Sequence, residues 1–232
     1  MKNTKIKKSI NKNSDAPMLV NDKFDVYDIL KLSKNKDFKF YKKNEILFRE
    51  NTKPLGLYYL IDGKVKIYRS SHNENGQILR FALPGDIFGI NEIFTGNNYI
   101  TSSSAIENSF VYLIPTEDFI ELIKNNSNIS YYLIYTLCKL KKKIDNRTIS
   151  IIQKTEKERL AETLLILSNK FNSDTINILK KDLANFSYIN KNKLKPYLSE
   201  FKENKLINLD SERIRIRDAK GLKRMTNVLC SA

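Results

Sequence analysis

The side chains best able to do chemistry in this 232-residue chain are few and far apart. They are a single histidine, His72, in the polar stretch 70–76, and two cysteines, Cys138 and Cys230. Zinc, non-haem iron and iron–sulfur centres need three or four such ligands brought together. We therefore expect no metal and no cofactor, and we interpret His72 as a surface-loop residue.

Other kinds of catalytic and membrane machinery are also missing from the sequence. It contains no Ser–His–Asp arrangement and no glycine-rich loop suited to a phosphate, so we expect no catalytic residues and no enzyme. The two distant cysteines form no disulfide framework, and no apolar run is long enough to cross a membrane. The sequence thus predicts a cytoplasmic protein without a membrane partner.

Basic side chains are the second chemical feature. Lys and Arg number 41 against 26 Asp and Glu, which gives a formal net charge of +15. Such an excess favours a polyanionic partner, although a Lys/Asn/Ile-rich coding bias is an alternative explanation. Residues 1–20 are rich in Lys and Asn and have no hydrophobic signal core, so we expect a disordered basic arm there.

The elements that would position these basic residues begin with a glycine-punctuated region. Six of the seven glycines lie between positions 56 and 96, and apolar segments of strand length separate them. This pattern predicts an antiparallel β-roll over residues 21–125, with a turn at Pro84-Gly85-Asp86. We expect its strands at residues 38–40, 46–48, 58–61, 65–68, 78–82, 103–107 and 110–114.

A long helix is predicted over residues 126–153, since 127–153 contain neither Gly nor Pro. Heptad spacing gives it an apolar seam that Arg147 interrupts. The seam either lies on the roll or pairs with a second copy of the chain. Because a helix of this length spans roughly 40 Å, more than one small barrel covers, we favour a homodimer. The expected dimer residues are Leu133, Leu137, Leu140, Ile144 and Ile151.

A second domain is predicted over residues 154–232. Thr155 and Glu158 have the spacing of a capping box and would start its first helix. A short strand, two helices joined by a tight turn and a hairpin follow, and this order is typical of a winged helix-turn-helix. The complete chain is thus α+β: an antiparallel β-roll, a long helix and a winged helix.

Several short motifs occur in order along these elements. They are Glu45-Ile46-Leu47-Phe48, Asp62-Gly63-Lys64-Val65, Leu83-Pro84-Gly85-Asp86-Ile87-Phe88-Gly89, Arg159-Leu160-Ala161, Asp182-Leu183-Ala184 and Lys205-Leu206-Ile207. In this order they make the chain resemble the Crp–Fnr family of bacterial transcription regulators after residue 20. The resemblance implies a cupin-like jelly roll, a dimerising helix and a winged helix that binds double-stranded DNA, with RNA polymerase as a further partner.

The resemblance also raises the question of an effector. Cyclic-nucleotide-binding relatives carry a Glu after the Phe-Gly pair and an Arg further on, where this sequence has Ile90 and Tyr99. A buried phosphate needs a charged partner, so we do not expect a cyclic nucleotide. We expect a pocket for an unidentified small molecule, or a filled core without a ligand. The pocket residues would be Ile90, Ile93, Tyr99, Ile100, Thr101 and Ser102.

The expected DNA-contacting residues follow from the same resemblance. Asn190 would cap the recognition helix, and Asn192 has the side chain that pairs with adenine, which predicts an A·T-leaning, pseudo-palindromic site. Pro196 falls too deep for a regular helix, so we expect a later helix start or a kink. The full set is Lys180, Lys181, Asn190, Lys191, Asn192, Lys193, Lys195, Arg213, Arg215 and Arg217.

These expectations combine into one function and one alternative. The first is a homodimeric transcription regulator, which an effector controls allosterically or which is constitutively active. The alternative is a small-molecule-binding or protein-interaction module whose winged helix no longer reads sequence. Pro196 and Tyr188, the latter at the usual turn glycine, are the residues that favour the alternative.

Overall fold

The computed structural model describes residues 26–70, 76–210 and 213–226. The arm expected at residues 1–20 lies outside these ranges, as do His72 and Cys230. The N-terminal part consists of α1 (Val26–Leu32), β1 (Asp37–Tyr41), β2 (Ile46–Phe48), β3 (Gly56–Asp62), β4 (Val65–Arg69), β5 (Gln77–Ala82), β6 (Ile87–Phe88), α2 (Asn91–Thr95), β7 (Ser102–Ala105) and β8 (Ser109–Pro115).

These strands form two antiparallel four-stranded sheets, with orders β1-β8-β3-β6 and β2-β7-β4-β5. Alternate residues of both sheets share one apolar core, so the sheets pack face to face as a roll. Each of the seven predicted strands is present. The structure adds β6 and α2, which are too short to give a periodic sequence signal.

The turn at Pro84-Gly85-Asp86 forms as predicted. Gly85 has a φ of 94°, a conformation that favours glycine. Its N–H donates to the Leu60 carbonyl at 2.8 Å, and the Asp86 carboxylate accepts from the Leu83 N–H at 2.9 Å. The turn is thereby attached to β3 and holds β6 in position.

Two helices leave the roll, α3 (Thr116–Asn125) and α4 (Ser127–Gln153). The Asn126 side chain caps α4 by accepting from the Asn128 N–H at 3.0 Å. The first two turns of α4 bury Ile129 and Leu133 against Phe119 and the roll. The predicted bounds of this helix agree with the structure because no Gly or Pro interrupts it.

The C-terminal part consists of α5 (Glu156–Phe171), β9 (Thr175–Asn177), α6 (Lys180–Ser187), α7 (Lys191–Glu203), β10 (Ile207–Asp210), β11 (Arg213–Ile216) and α8 (Ala219–Thr226). The predicted capping box is present at the start of α5, where Thr155 and Glu158 bond reciprocally. The three strands pair in the order β10-β11-β9. Together these elements make the winged helix, and the α+β fold class is confirmed.

Candidate functional site

The recognition helix α7 begins at Lys191, directly after its cap. The Asn190 Oδ1 accepts from the Asn192 N–H at 3.0 Å, as predicted for the capping residue. One side of the helix buries Leu194, Leu198 and Phe201 in the domain core. The opposite side exposes its basic and amide residues, which are Lys191, Asn192, Lys193 and Lys195.

Pro196 lies inside α7 rather than at its start. The expectation of a later helix start is therefore wrong, because capping by Asn190 fixes the start in spite of the proline. Pro196 has no N–H, so the Asn192 carbonyl loses its usual partner, at a cost of about 3 kcal/mol for a helix interior. The ring is exposed on the same side as Asn192, and it contributes little to the core.

Contacts from α5 hold α7 at both ends. Glu156 accepts from the Asn190 N–H at 3.0 Å and from the Lys193 Nζ at 2.7 Å. These bonds lower the pKa of Glu156, the Asn190 N–H being the largest cause and Lys193 the next. Nearer the other end, Lys157 forms an ion pair with Glu200. Lys193 thus already has a carboxylate partner within the protein, Glu156, which the sequence did not indicate.

The turn between α6 and α7 forms without glycine. Tyr188 adopts a left-handed conformation with a φ of 55°, and its N–H returns to the Ala184 and Asn185 carbonyls. Arg159 donates from Nη2 to the Tyr188 carbonyl at 2.6 Å and from Nε to the Ser187 carbonyl at 3.3 Å. These donors offset the strain of a non-glycine residue at this position.

Arg147, which interrupts the apolar seam of α4, contacts the same turn. Its guanidinium lies 3.9 Å from the Phe186 ring centroid and 5.2 Å from that of Tyr188. Burial is the largest cause of its lowered pKa. The long helix thereby contacts the helix-turn-helix directly through a stacked cation.

The wing places its three arginines on one face. Arg213, Arg215 and Arg217 are exposed, whereas Ile214 and Ile216 are buried. Lys180 and Lys181 at the start of α6 are also exposed. All ten residues expected to contact DNA are therefore exposed on α6, α7, the cap of α7 and the wing. The arrangement offers cationic and amide groups to a polyanion.

The six expected pocket residues are not gathered around one cavity. Ile90 and Ile93 pack in the cluster that contacts α4, whereas Tyr99 stacks on Phe48 inside the roll at a centroid distance of 4.0 Å. Burial raises the pKa of Tyr99 to about 12. Ile100 is 58% exposed and turns away from the interior.

The remaining two pocket residues, Thr101 and Ser102, lie on the β7 side of the roll. Thr101 is half-buried, and the Ser102 Oγ accepts from the Glu50 N–H at 2.9 Å. Of the six residues only Ser102 lies on a strand, β7, and the Tyr99 ring fills the roll interior, so residues that are neighbours in sequence are dispersed. Only Ile90 of the six lines the cavity between the roll and α4.

That cavity has a volume of about 30 Å³. Its roll side is formed by Arg80, Ile87, Gly89, Ile90 and Asn91, and its α4 side by Leu133, Thr136, Leu137 and Leu140. Arg80, which did not figure among the expected pocket residues, donates from Nη2 to the Ile87 carbonyl at 3.2 Å. It comes from β5, before the segment where the effector pocket was expected.

The expected dimer residues divide along α4. Leu133 is buried on the roll, Leu140 and Ile151 are half-buried, and Leu137 and Ile144 are exposed at 36% and 55%. Further exposed apolar residues of this helix are Tyr131, Ile134, Ile149 and Ile152. The seam therefore begins on the roll and continues as an uncovered apolar face.

The winged helix also packs against the roll. Ile78 and Phe81 of β5 belong to the same apolar cluster as α5 and α6, and the Phe81 and Phe186 rings meet edge to face at 4.8 Å. The Lys66 Nζ donates to both carboxylate oxygens of Asp182, at 2.9 and 3.0 Å. This ion pair is largely buried and joins β4 to the first helix of the helix-turn-helix.

Two family models match the chain, one on each side of α4. A model described as a cyclic nucleotide-binding domain matches residues 38–126, and one described as a Crp-like helix-turn-helix domain matches residues 158–225. The chain belongs to the Crp–Fnr family. Members of the Crp–Fnr family are transcription regulators rather than enzymes, so this chain is a DNA-binding transcription regulator.

Relatives are similar in sequence to this Crp–Fnr chain, and a solved structure shares its fold. The transcriptional activator protein Anr of Pseudomonas protegens is 24% identical over 184 residues, which cover 76% of this chain and 75% of that protein. The fumarate and nitrate reduction regulatory protein of Vibrio cholerae is 23% identical, with 81% and 77% covered. FixK2 from Bradyrhizobium japonicum shares the fold with a TM-score of 0.74 at 18% identity, covering 82% of this chain and 97% of that chain.

Within the ranges 26–70, 76–210 and 213–226, no helix is both long and apolar enough to cross a membrane. Over the same ranges, no three His, Cys, Asp or Glu side chains are grouped as metal ligands.

Proposed function

We propose that this regulator acts as a homodimer on a pseudo-palindromic, A·T-leaning DNA site. The observation that carries the proposal is the exposed row on α7, where Asn192 stands among Lys191, Lys193 and Lys195. Asparagine pairs bidentately with the N6 and N7 atoms of adenine, and lysines beside it contact phosphates. The wing arginines extend the same cationic surface.

The first test is selection of bound sequences from a random DNA pool with the complete, effector-free protein. The proposal expects an enriched two-fold motif whose half-sites lie about one helical turn, roughly 34–36 Å, apart. Asn192→Ala should lose about tenfold in affinity for that motif and lose the preference at one base pair. Lys202→Ala, at the far end of the same helix, is the matched control and should leave the motif unchanged.

The homodimer is supported by the uncovered apolar face of α4. Ile144→Asp places a charge in the middle of that face and should shift the protein to a monomer in sedimentation velocity. Its affinity for the two-fold site should fall because one winged helix then binds one half-site. Asn146→Asp, exposed on the same helix, adds the same charge and should leave the dimer intact. A dimer that survives Ile144→Asp would contradict this assignment.

A second candidate is favoured by Pro196 and Tyr188, which break local rules in the DNA-reading part. In that case the winged helix binds DNA without reading its sequence. Binding would then depend steeply on salt and be equal for selected and scrambled DNA. Pro196→Arg tests the point directly, since recovery of a motif in this variant alone would attribute the loss to the proline.

Control of the regulator belongs to the same proposal. Ile90 follows Phe88-Gly89 where an acidic residue would be needed, which supports an effector other than a cyclic nucleotide or constitutive activity. Because α4 contacts the roll at Leu133 and the helix-turn-helix turn through Arg147, a change in the roll can reach α7 along α4.

We also propose RNA polymerase as a partner and the cytoplasm as the place where the protein meets DNA. The domain division at residues 1–20, 21–125, 126–153 and 154–232 stays a prediction.

A further inference from the structure

Lys170, near the end of α5, is a half-buried lysine at the contact between the winged helix and the roll. Its Nζ donates to the Phe81 carbonyl of β5 at 3.0 Å. No carboxylate of the described residues lies within 4.0 Å of this ammonium. Burial lowers the pKa of Lys170 to about 8, so about a tenth of this amine is uncharged at pH 7. The side chain therefore supplies a nucleophilic amine.

Three cations lie around this amine, on β5 and on α4. They are Arg80, Lys143 and Arg147, the last two one turn apart on α4. Their positive charges add to the effect of burial on the pKa of Lys170, and Asp86 is the carboxylate that opposes them. The contact between β5 and α5 therefore has a local excess of positive charge.

The guanidinium groups of this cluster have N–H donors that are not used. A guanidinium carries five N–H donors, and the one hydrogen bond from Arg80 in the described structure goes to the Ile87 carbonyl at 3.2 Å. The Nε of Arg147 is buried and has no hydrogen-bond partner among the described residues. A buried donor without an acceptor costs free energy. The cluster thus lacks an oxyanion.

Carboxylates of the neighbouring elements already have partners. Glu162 of α5 forms an ion pair with Lys154 at 2.7 Å, and Asp182 of α6 forms one with Lys66 at 2.9 Å. The Asp86 carboxylate accepts from a backbone N–H of its own turn. An anion made on the Lys170 side chain itself would compensate the excess of positive charge.

We propose that Lys170 is a carbamate site, at which dissolved CO₂ adds to the uncharged ε-amine. The nitrogen lone pair forms the N–C bond, one C=O π pair moves onto oxygen, and one proton leaves the nitrogen for solvent. The balance is R–NH₂ + CO₂ → R–NH–CO₂⁻ + H⁺. The remaining N–H still donates to the Phe81 carbonyl, while the two carbamate oxygens accept from guanidinium donors.

Carbamate formation reverses the charge of the Lys170 side chain. Repulsion between this side chain and the three cations becomes attraction, and in a partly buried site salt screens it little. Because Lys170 belongs to the winged helix and Arg80 to the roll, the carbamate stabilises the contact between α5 and β5. This inference goes beyond the proposed function, since neither the reaction nor its product needs DNA.

The test traps the carbamate in the complete protein. The protein is equilibrated with ¹³CO₂ at about pH 8 in an amine-free buffer and treated with triethyloxonium, which converts a carbamate into its stable ethyl ester. Peptide mass spectrometry should then show a Lys170 peptide that has gained one ¹³CO₂ and one C₂H₄ and that trypsin has not cleaved after Lys170. The α-amino group of the purified chain, with an ordinary pKa of about 8, is the positive control for trapping.

Lys202, an exposed lysine of α7, is the matched control for selectivity. At about pH 8, an amine with a pKa of about 8 holds roughly 100-fold more of its uncharged form than one with the ordinary lysine value of 10.5. We therefore expect the labelled adduct at Lys170 to exceed that at Lys202 by about tenfold or more. Lys170→Arg should remove the adduct, because a guanidinium that stays protonated is not a nucleophile.

Two variants that change the charge around Lys170 should act in opposite directions. Arg80→Gln removes a cation, which favours the protonated amine and weakens the hold on the carbamate, so the adduct should fall about tenfold. Asp86→Asn removes the opposing carboxylate but keeps an oxygen for the turn, so the adduct should rise about threefold. A merely structural disturbance would move both variants in the same direction.

The proposal is overturned if only the α-amino group carries the label, if Lys170 and Lys202 are labelled equally, or if both charge variants are labelled as the wild type is. Circular dichroism checks that each variant is folded. Should Arg80→Gln unfold, Asp86→Asn decides alone, and an unchanged or lower yield in it contradicts the site. Because this experiment contains no DNA, its failure is distinct from failure of the proposed function.

Discussion

The interior of the roll and the junction between the roll and the winged helix are held together by different forces. Inside the roll, the Tyr58 and Phe88 rings stack at 5.3 Å, and Phe48 and Tyr99 stack at 4.0 Å. At the junction, buried charged groups accompany the apolar contact of Phe81 with Phe186; they are the Lys66–Asp182 pair, Arg80, Lys170 and Arg147.

This difference separates the rigid part of the molecule from the adjustable part. Apolar packing stabilises in proportion to the area removed from water and does not depend on an ion or a proton. Buried charges stabilise only when they are paired, so the stability of the junction depends on pH. The stability of the roll does not depend on pH in this way, whereas that of the junction does. A regulator built like this can change the position of its winged helix while its roll stays folded.

The largest expected effect comes from the roll interior. Phe48→Ala should lower the free energy of unfolding by about 4 kcal/mol, because it removes a buried ring that contacts three other aromatic rings. Urea denaturation followed by circular dichroism measures the loss. Phe38→Ala, at a position 59% exposed on β1, is the matched control and should cost under about 1 kcal/mol. Equal losses in the two variants would mean that the roll interior is not the rigid part.

The next effect concerns the buried ion pair of the junction. Asp182→Ala should cost about 3 kcal/mol, since it leaves the Lys66 ammonium without its carboxylate in a largely buried site. Replacing both residues, as Lys66→Met with Asp182→Leu, should restore most of that stability. The same urea titrations on Lys66→Met, on Asp182→Leu and on the double variant measure the coupling. Additive losses would contradict a paired, buried junction.

Lys170 makes the junction depend on pH. Its folded pKa of about 8 lies below the ordinary value of 10.5, so the unfolded chain binds more protons between these two pH values. The free energy of unfolding should therefore rise as pH increases from 8 toward 10. Lys170→Met should flatten this rise, whereas Lys202→Met, with an exposed lysine of α7, should keep it.

The upper limit of that pH window is set by the roll. Burial raises the pKa values of Tyr58 and Tyr99, so above pH 10 the unfolded chain loses tyrosine protons that the folded chain keeps. Stability should then fall as pH rises further. A fall that already began at pH 8 would show that Lys170 is not held as a buried cation.

Local pattern was sufficient to predict most of the fold. Glycine-separated segments identified the strands of the roll, and the uninterrupted stretch 127–153 gave the bounds of α4. The side-chain cap at Asn190 was predicted from the family resemblance and not from local pattern, and the structure has it. The helices α2 and α8 were missed, since helices of five and eight residues carry little periodic signal.

The junction was not predictable because its partners are distant in sequence. Lys66 and Asp182 are 116 residues apart, and no local motif connects them. In the sequence, Arg147 only interrupts an apolar seam, whereas in the structure its guanidinium stacks on the rings of Phe186 and Tyr188. The expected effector residues were neighbours in sequence, yet Tyr99 and Ile90 belong to different apolar clusters. The position of Arg80 at the cavity was not predicted, because a single arginine in a strand is usually exposed.

The smallest expected effect comes from an ion pair that matches the junction in distance but not in burial. The Lys141 Nζ lies 2.7 Å from the Asp145 carboxylate one turn along α4, and the two side chains are 75% and 52% exposed. Lys141→Ala should change the free energy of unfolding by about 0.3–0.5 kcal/mol, and 0.5 M salt should remove the difference. The Lys66–Asp182 pair has a similar distance of 2.9 Å with side chains 17% and 5% exposed, and salt should leave its coupling nearly intact. If both pairs respond equally to salt in urea titrations, solvent reaches the junction. The charges of the junction would then not be buried, and the difference between the junction and the roll interior would have no physical basis.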